Sequence, residues 1–216
     1  MRKKKHLDER LDAVRSVNLG WIPDAVHEGG TDMLDIAAVF GNNNPLYLEI
    51  GCGKGKFANT IAKQMPDVNF IAVEQTVNVL VSAMEQTAGS GLSNLRYLMG
   101  KAEYLAKVLP PKSVQKIFLN FSCPFPKNSY AKHRLTHERF LEIYKILLAD
   151  GGIIEQKTDN AKFFEFSLNS FCDNGFRLRN ITFDLHNSDF KGNIITEYEQ
   201  RFISQGLPIY RLEAYI

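Results

Sequence analysis

The strongest constraint on the fold is a short apolar run that leads directly into a glycine-rich turn. Residues Leu46–Ile50 read LYLEI, and the residues that follow read GCGKG. After this turn, Phe57, Ile61 and Met65 recur at nearly helical spacing. The segment therefore predicts a strand, a tight turn and a helix, a unit that brings backbone N–H groups and a helix N-terminus close to a ligand.

Strand-like and helical patterns continue to alternate along the chain. Predicted strands cover residues 46–50, 69–74, 95–99, 114–121 and 153–157, and further predicted helices cover 77–86, 137–149 and 161–172. This alternation is typical of an α/β fold with a mostly parallel sheet. The tail segments 176–185, 197–203 and 209–216 are predicted to be strands that close the sheet antiparallel. No linker is visible in the 216 residues, so we expect a single domain.

The charges are nearly balanced in number but segregated along the chain. There are 26 Lys and Arg against 24 Asp and Glu, a net charge of +2 that does not by itself indicate a nucleic-acid partner. Residues 16–50 contain acids and no base, namely Asp24, Glu28, Asp32, Asp35 and Glu49. Residues 101–134 contain one acid, Glu103, among the bases Lys101, Lys107, Lys112, Lys116, Lys127, Lys132 and Arg134. Such segregation can give a protein a negative cleft and a positive face, with ordinary solvated charge as the alternative.

Other classes of protein are disfavoured by simple features of the chain. No run approaches the roughly 20 apolar residues of a membrane span. Because Asp8 and Glu9 interrupt the basic start, no signal peptide is expected, and a cytoplasmic protein is the default. The cysteines Cys52, Cys123 and Cys172 are odd in number and widely spaced, which fits neither a disulfide framework nor a metal cluster. We expect reduced thiols and no metal.

The glycine turn suits S-adenosylmethionine better than a dinucleotide. The dinucleotide fingerprint G-x-G-x-x-G is imperfect here, because Lys56 and Phe57 follow the last glycine of GCGKG. S-adenosylmethionine has no phosphate, and its sulfonium cation calls for nearby acids. Glu49 lies two residues before the turn, and Glu74 ends the second strand, where a carboxylate can accept both ribose hydroxyls. Glu74 fits NAD equally well, and a solvated strand-end residue is the alternative for Glu49.

Longer motifs carry a resemblance to a known family. The segments LEIGCGKGKF, NFSCPFPKNSYAKHRLTHERFLEIY, EQKTDNAKFFEFSL and NIITEYEQRF with GLPIYRLE are similar to those of the bacterial tRNA (guanine-N7)-methyltransferases. This resemblance implies a class I Rossmann-like fold with a seven-stranded, mostly parallel sheet and an antiparallel C-terminal strand. It also implies a catalytic core at 45–216, preceded at 1–44 by a divergent basic extension and a lead-in helix.

The same resemblance implies a function and a set of site residues. The enzyme would transfer a methyl group from S-adenosylmethionine to N7 of guanine 46 in the variable loop of tRNA. The enzyme would be cytoplasmic and would be a monomer or a homodimer. Its partner would be tRNA, and it would not bind a membrane. The cofactor would be held by Glu49, Gly51, Gly53, Glu74, Ala102 and Asn120. The substrate would be bound by Lys127, Asp159, Thr196, Glu197, Tyr198 and Glu199.

The chain departs from the family where the acceptor should bind. The family usually reads Asn-Phe-Ser-Asp-Pro-Trp-Pro-Lys, whereas this chain has Cys123 for the acid and Phe125 for the tryptophan. The run 128–130 reads NSY in place of a basic run, and Lys101 stands where many members have an acid. Lys101 and Cys123 are therefore additional cofactor candidates whose residue types differ from those of the family.

The chemistry itself makes modest demands on the protein. Guanine N7 has a free lone pair, so no general base is required, and the enzyme must supply alignment and charge stabilisation. Asp159 and Glu199 are candidate guanine-orienting carboxylates. The alternative for Asp159 is a cap on the next helix. On a strand, Glu197 and Glu199 would share one face.

A basic and aromatic cluster is predicted next to the acceptor motif. Lys127, Lys132, His133, Arg134, His137 and Arg139 gather around Tyr130 in the sequence. Phosphate contacts and base stacking on looped RNA are one interpretation, and a solvated loop at a helix entry is the other. Because Cys123 replaces an acid, a silent RNA-binding paralogue and a methyltransferase for another acceptor also remain open.

Overall fold

The computed structural model describes residues 5–22 and 33–216. Three acids of the segregated N-terminal run, Asp24, Glu28 and Asp32, lie outside the described residues, as does the start of the basic extension. The chain forms two compact units, Met1–Pro110 and Pro111–Ile216.

The first unit contains four strands in parallel pairs. They are β1 (Asn18–Trp21), β2 (Leu46–Ile50), β3 (Asn69–Glu74) and β4 (Leu95–Met99), in the spatial order β1-β4-β3-β2. The predicted bounds of β2, β3 and β4 are confirmed. Nearly every residue of these three strands is buried, as expected for parallel strands covered on both faces.

Helices and short turns connect these strands. They are α1 (Leu7–Ala13), α2 (Ile36–Phe40), α3 (Lys56–Gln64), α4 (Val77–Ser90) and α5 (Leu105–Val108), with 3₁₀ turns at Arg15–Val17 and Ala102–Tyr104. The N-terminal helix is fastened by Arg10, whose Nε and Nη2 each donate a 2.6 Å hydrogen bond to the carboxylate of Glu85 on α4.

The second unit contains β5 (Val114–Asn120), β6 (Leu148–Thr158), β7 (Arg177–Thr182) and β8 (Tyr210–Tyr215). Their spatial order is β5-β6-β8-β7. β5 and β6 are parallel, whereas β8 runs antiparallel to both of its neighbours. The predicted antiparallel C-terminal strand is confirmed.

The expected number of strands needs correction, because the described ranges contain eight strands rather than seven. The additional strand is β1, which pairs with β4 at the end of its sheet. It is only four residues long and contains Gly20 at a φ of +99°, a conformation that few other residues adopt. A segment so short and interrupted gives no periodic strand signal.

Three α-helices and one 3₁₀ turn complete the second unit. They are α6 (Glu138–Leu147), α7 (Ala161–Asp173) and α8 (Glu197–Ile203), and the turn is Asn128–His133. The prediction of a strand at 197–203 is wrong, because this segment forms α8. The Thr196 side chain accepts a hydrogen bond from the backbone N–H of Glu199, and the Glu199 carboxylate accepts one from the backbone N–H of Thr196. This capping box starts the helix.

The outer strand β7 is irregular. Its pairing with β8 shifts between Arg179 and Thr182, where Asn180 adopts a φ of +52°. Arg179 and Asn180 both donate hydrogen bonds to Glu213 of β8. The irregularity is therefore held in place by side chains as well as by the backbone.

Candidate functional site

The glycine turn of the first unit is folded against the end of β3. The backbone N–H groups of Gly51 and Cys52 both donate to the carbonyl of Val73, at 2.8 and 3.0 Å. Gly51 and Gly53 have φ values of +84° and +56°, and a Cβ on either would meet no atom within 4 Å. The turn thus requires glycine for its backbone and leaves open space beside these two residues.

Gly55 has a different role, which is close packing. It has a φ of +76°, and a Cβ there would lie 2.7 Å from both the Ala83 Cβ and the Tyr97 hydroxyl. Tyr97 is fully buried, its hydroxyl bonds to Thr87 and Asn59, and burial raises its pKa. The absence of a side chain at Gly55 therefore allows the start of α3 to pack against the buried polar cluster of Tyr97, Thr87 and Asn59.

The predicted cofactor residues of the first unit meet at the carboxyl ends of β2, β3 and β4. The Gly53 N–H donates to the Glu74 carboxylate at 3.2 Å, and the Gly100 N–H donates to the Glu74 carbonyl at 3.1 Å. Ala102, two residues after Gly100, is buried at the start of its 3₁₀ turn, whereas Lys101 is exposed. Ligands bind at this end of the strands in open α/β sheets.

The electrostatics of this turn suit a cation. Glu49 is 5% exposed at the end of β2. Burial raises the pKa of the Cys52 thiol well above its ordinary value, and the negative charges of Glu49 and Glu74 raise it further. The carboxylates of Glu49 and Glu74 themselves place a negative potential beside the turn. That potential favours the sulfonium of S-adenosylmethionine and disfavours a pyrophosphate.

In the second unit, Asn120 and Cys123 lie around the end of β5. Asn120 is the last residue of the strand and is 7% exposed, and the next residue, Phe121, has a φ of +50°. The Phe121 N–H donates to the carbonyl of Lys157 at 2.8 Å. Cys123 is an exposed free thiol, and Cys52 and Cys172 are also free, as predicted.

The basic loop after Cys123 does not present all of its charges to solvent. Arg134 is 8% exposed, and its guanidinium donates to the carbonyls of Pro124 and Phe125, each at 3.0 Å. It also lies 4.4 Å from the centre of the Phe166 ring. The interpretation of Arg134 as a phosphate contact is therefore corrected, because its hydrogen bonds hold the loop. Lys127, Tyr130, Lys132 and His133 are exposed.

Asp159 is exposed immediately after β6, and it does not cap the following helix. The cap is Asn160, whose side-chain oxygen accepts a 2.9 Å hydrogen bond from the N–H of Phe163. The capping alternative for Asp159 is therefore excluded. The Asp159 carboxylate lies at the carboxyl end of a buried strand, where it can meet a ligand.

Glu199 is fully buried, and its carboxylate is surrounded by donors. The Lys157 ammonium lies 2.8 Å away, and this ammonium also donates to Asn193 and to the carbonyl of Ile194. The amide of Asn193 donates to the other Glu199 oxygen, and the His186 ring lies 3.4 Å from it. We call the buried pair Lys157 and Glu199, together with the more exposed His186 and Asn193 that bond to Glu199, the buried polar hub.

The other residues predicted to bind the substrate at 196–198 differ in their exposure. Thr196 is 7% exposed and serves the capping box. Tyr198 is 57% exposed and stacks on Phe121 with ring centres 6.4 Å apart. The side chain of Glu197 lies outside the described part of the structure. Because the segment is a helix, the prediction that Glu197 and Glu199 share a strand face is wrong.

The sequence alone did not indicate Lys157 or Asn193 as site residues. The interpretation of His186 as a turn residue is confirmed, because it lies in a turn between β7 and α8. No periodic pattern marks these positions. The spacing Thr-x-x-Glu at 196–199 was a readable signal, because it is the signature of a capping box and so of a buried or capped glutamate. Among residues 5–22 and 33–216, no helix is long and apolar enough to cross a membrane.

Known proteins resemble this chain over most of its length. The family model described as "Putative methyltransferase" matches residues 43–212. A tRNA (guanine-N(7)-)-methyltransferase from Brevibacillus brevis is 48% identical over 176 residues, covering 81% of this chain and 82% of the relative. The protein of the same name from Bacillus subtilis is 45% identical over 175 residues, with the same coverage of 81% and 82%.

Solved structures with little sequence identity share the fold. The 16S rRNA methyltransferase KamB matches with a TM-score of 0.61 at 18% identity, over 86% of this chain and 94% of the other. A SAM-dependent methyltransferase from Aquifex aeolicus matches with a TM-score of 0.57 at 14% identity, over 98% of both chains. The fold, together with the family model that matches residues 43–212, defines a class I methyltransferase. The chain belongs to the family of tRNA (guanine-N7)-methyltransferases.

Proposed function

We propose that this protein transfers a methyl group from S-adenosylmethionine to N7 of guanine 46 in the variable loop of tRNA. One observation carries the proposal: 81% of the chain aligns at 48% identity with a protein named for guanine-N7 methylation of tRNA. The geometry of the glycine turn and the exposure of Asp159 support it independently.

The residues at the carboxyl ends of β2 to β4 would hold the cofactor. Glu74 would accept hydrogen bonds from the ribose, while the backbone of Gly51, Gly53 and Ala102 allows close approach. Glu49 would contribute negative charge. The assignment of Asn120 to the cofactor stays a prediction from the family resemblance. When bound, S-adenosylmethionine supplies a methyl group activated by its sulfonium. The position of the Glu74 carboxylate against the backbone of Gly53 supports this assignment, because its negative charge beside the turn attracts a cation.

Asp159 is the carboxylate best suited to orient the guanine. Its side chain is exposed, so it can accept hydrogen bonds from guanine N1–H and from the exocyclic amine. These bonds would strengthen as positive charge moves onto the purine during methyl transfer. Both oxygens of Glu199, in contrast, are already occupied within the buried polar hub. Glu199 would therefore contribute by positioning the segment that carries Thr196 and Tyr198.

The test is methyl transfer from labelled S-adenosylmethionine to unmodified bulk tRNA. Borohydride reduction followed by aniline cleaves RNA at N7-methylguanine, so we expect scission at a single variable-loop guanine. Transfer of label without scission would contradict the N7 assignment. Retained cofactor affinity with no transfer to any tRNA would identify a silent binding paralogue instead. The cytoplasmic location and the monomeric or homodimeric state stay predictions.

A further inference from the structure

The N-terminal segment of the first unit reaches the end of the sheet where the predicted cofactor residues meet. This segment comprises α1 and β1 and precedes the residues that the family model matches, which begin at residue 43. β1 runs parallel to β4, and its last residue, Trp21, is opposite Met99, the last residue of β4. Because the two strands share one direction, the chain leaves β1 beside the carboxyl end of β4.

Ile22 follows β1 directly and fills the space that a side chain on Gly100 would need. The Ile22 side chain is 1% exposed. A Cβ on Gly100 would lie 2.7 Å from both Cδ1 and Cγ1 of Ile22, and 2.8 Å from its Cβ. Gly100 does not have a positive φ, so its backbone alone does not require glycine. The residue must be glycine because Ile22 occupies the space beside it.

Gly100 joins two residues that are predicted to hold the cofactor. Its N–H donates to the carbonyl of Glu74 at 3.1 Å, and the Glu74 carboxylate accepts a 3.2 Å hydrogen bond from the N–H of Gly53. Two residues further along the chain, Ala102 begins its 3₁₀ turn. A displacement of Gly100 would therefore move Ala102 and would weaken the backbone hydrogen bond that fixes the end of β3.

The segment that carries Ile22 is itself anchored to the first unit. The Arg10 guanidinium on α1 donates two hydrogen bonds of 2.6 Å to the Glu85 carboxylate on α4. Nearer to Ile22, the N–H of Gly20 donates to the side-chain oxygen of Asn18 at 3.0 Å, within the strand that pairs with β4. Ile22 is therefore pressed against Gly100 by a fixed segment, which makes the contact well suited to hold the turn in one position.

We propose that Ile22 is a positioning residue for S-adenosylmethionine. By filling the space beside Gly100, it holds the end of β4 and the backbone of Ala102 in the arrangement that accepts the cofactor. The proposal rests on the proposed function for the identity of the ligand. It assigns a share of the cofactor affinity to the N-terminal segment, which lies outside the residues that the family model matches.

The dissociation constant of S-adenosylmethionine, measured by titration calorimetry on the full-length protein, tests the proposal. We expect Ile22→Ala to raise this constant about 3- to 10-fold, the effect of losing one ordinary hydrogen bond. Ile22→Val loses a single methyl group and should bind within about twofold of the wild type. The control is Leu7→Ala, which truncates a side chain on α1 that is 5% exposed. This variant should lower the urea midpoint by a similar amount and leave the dissociation constant unchanged.

A double-mutant cycle and hydrogen exchange test the contact itself. Gly100→Ala should also weaken cofactor binding about 3- to 10-fold, because its new methyl group collides with Ile22. Ile22→Ala removes two of the three atoms that this methyl group would meet, so the loss in the double variant should be smaller than the product of the two single losses. Without ligand, Ile22→Ala should accelerate exchange of the Gly100 N–H at least about threefold, and Leu7→Ala should not.

Three results would overturn the positioning role. The first is wild-type affinity of Ile22→Ala, and the second is an equal loss of affinity in Leu7→Ala, because the effect would then reflect general destabilisation. The third is a pair of single losses that simply multiply in the double variant. If Ile22→Ala does not fold, Gly100→Ala decides alone, and wild-type affinity of that variant overturns the proposal.

Failure of the proposed function is recognised separately, by the tRNA scission assay. If the wild type binds S-adenosylmethionine and Ile22→Ala binds it more weakly, but no tRNA is cleaved, the positioning role stands while the N7 assignment fails. If tRNA is cleaved and Ile22→Ala binds the cofactor like the wild type, the assignment stands and the positioning role fails. A wild-type protein that does not bind S-adenosylmethionine would overturn both.

Discussion

The ammonium of Lys157 lies 2.8 Å from the carboxylate of Glu199, and the two side chains are 1% and 0% exposed. A buried charge of this kind is tolerated because its partner and several further hydrogen bonds replace water. The pair joins the end of β6 to the first turn of α8. It therefore fixes the segment that carries Thr196 and Tyr198 relative to Asp159, which lies two residues after Lys157.

Removal of Lys157 should be far more damaging than removal of the whole pair. Lys157→Met leaves the Glu199 charge buried, and we expect the free energy of unfolding to fall by about 3–5 kcal/mol. Lys157→Met combined with Glu199→Met should recover a large part of this loss. Urea denaturation measures both values. The exposed Lys162→Met is the control, with an expected change of about 0.5 kcal/mol or less, and a single variant as stable as the control would contradict the prediction.

Asp159→Asn should impair methyl transfer without impairing folding. The loss of a charged hydrogen bond costs about 1.5–3 kcal/mol, so kcat/KM for tRNA should fall roughly ten- to a hundredfold. The affinity for S-adenosylmethionine and the urea midpoint should not change. Asp173→Asn, an exposed aspartate at the end of α7, is the matched control. Equal activity of the two variants would show that Asp159 does not contact the guanine.

Gly55→Ala should destabilise the first unit more than Gly41→Ala does. Both glycines have φ near +70°, at +76° and +71°, so both variants incur a backbone cost of about 1–2 kcal/mol. Only at Gly55 would the new methyl group collide with Ala83 and Tyr97, which adds about 1–3 kcal/mol. Urea denaturation of the two variants compares the costs directly. Equal destabilisation would show that Ala83 and Tyr97 can move away from the new methyl group at no cost in the free energy of unfolding.

The three thiols should react at very different rates. Burial and the charges of Glu49 and Glu74 raise the pKa of Cys52, so its reactive thiolate is scarce at pH 8. Cys123 and Cys172 are exposed. Iodoacetamide should therefore modify these two at least about tenfold faster than Cys52, as measured by peptide mass spectrometry. In urea all three should react alike, and rapid labelling of native Cys52 would contradict its burial and its raised pKa.

Cys123→Asp should accelerate methyl transfer. The substitution introduces the carboxylate that the family resemblance implies at this position, and one charged hydrogen bond made in the transition state is worth about a tenfold rate increase or more. Cys123→Ser, which changes the residue without adding charge, should leave kcat/KM near the wild-type value. The labelled transfer assay measures both. If the aspartate variant is no faster than the serine variant, this position does not tune the reaction.

The fold could be predicted where the signal is local. The bounds of β2, β3 and β4 follow from short apolar runs between polar turns, and these runs are buried on both faces. The helix α8 was mistaken for a strand because EYEQRFI fits either period in isolation. What decides between them is the capping box of Thr196 and Glu199 together with the burial of Glu199, and burial depends on distant residues.

The types of the site residues could be predicted, but not which of their side chains are already paired within the protein. The motifs predicted that the charged side chains of Asp159, Glu199 and Arg134 would all be available to contact the substrate. In the structure, Asp159 is exposed, Glu199 is occupied by Lys157, and Arg134 is occupied by loop carbonyls. The sequence does not show which charges are paired, because the partners are separated along the chain. Lys157 and Glu199 are 42 residues apart, and Arg134 and Phe125 are 9 residues apart.

The irregular strand β7 bears on how the protein behaves at high concentration. It is the last strand in the order of its unit, and a regular outer strand presents a row of backbone groups that can pair with another copy of the chain. The left-handed Asn180 breaks that row, and the exposed Arg177 places a positive charge on it. The strand thereby discourages edge-to-edge aggregation, although Ile181 within it and Phe183 just after it are exposed and apolar.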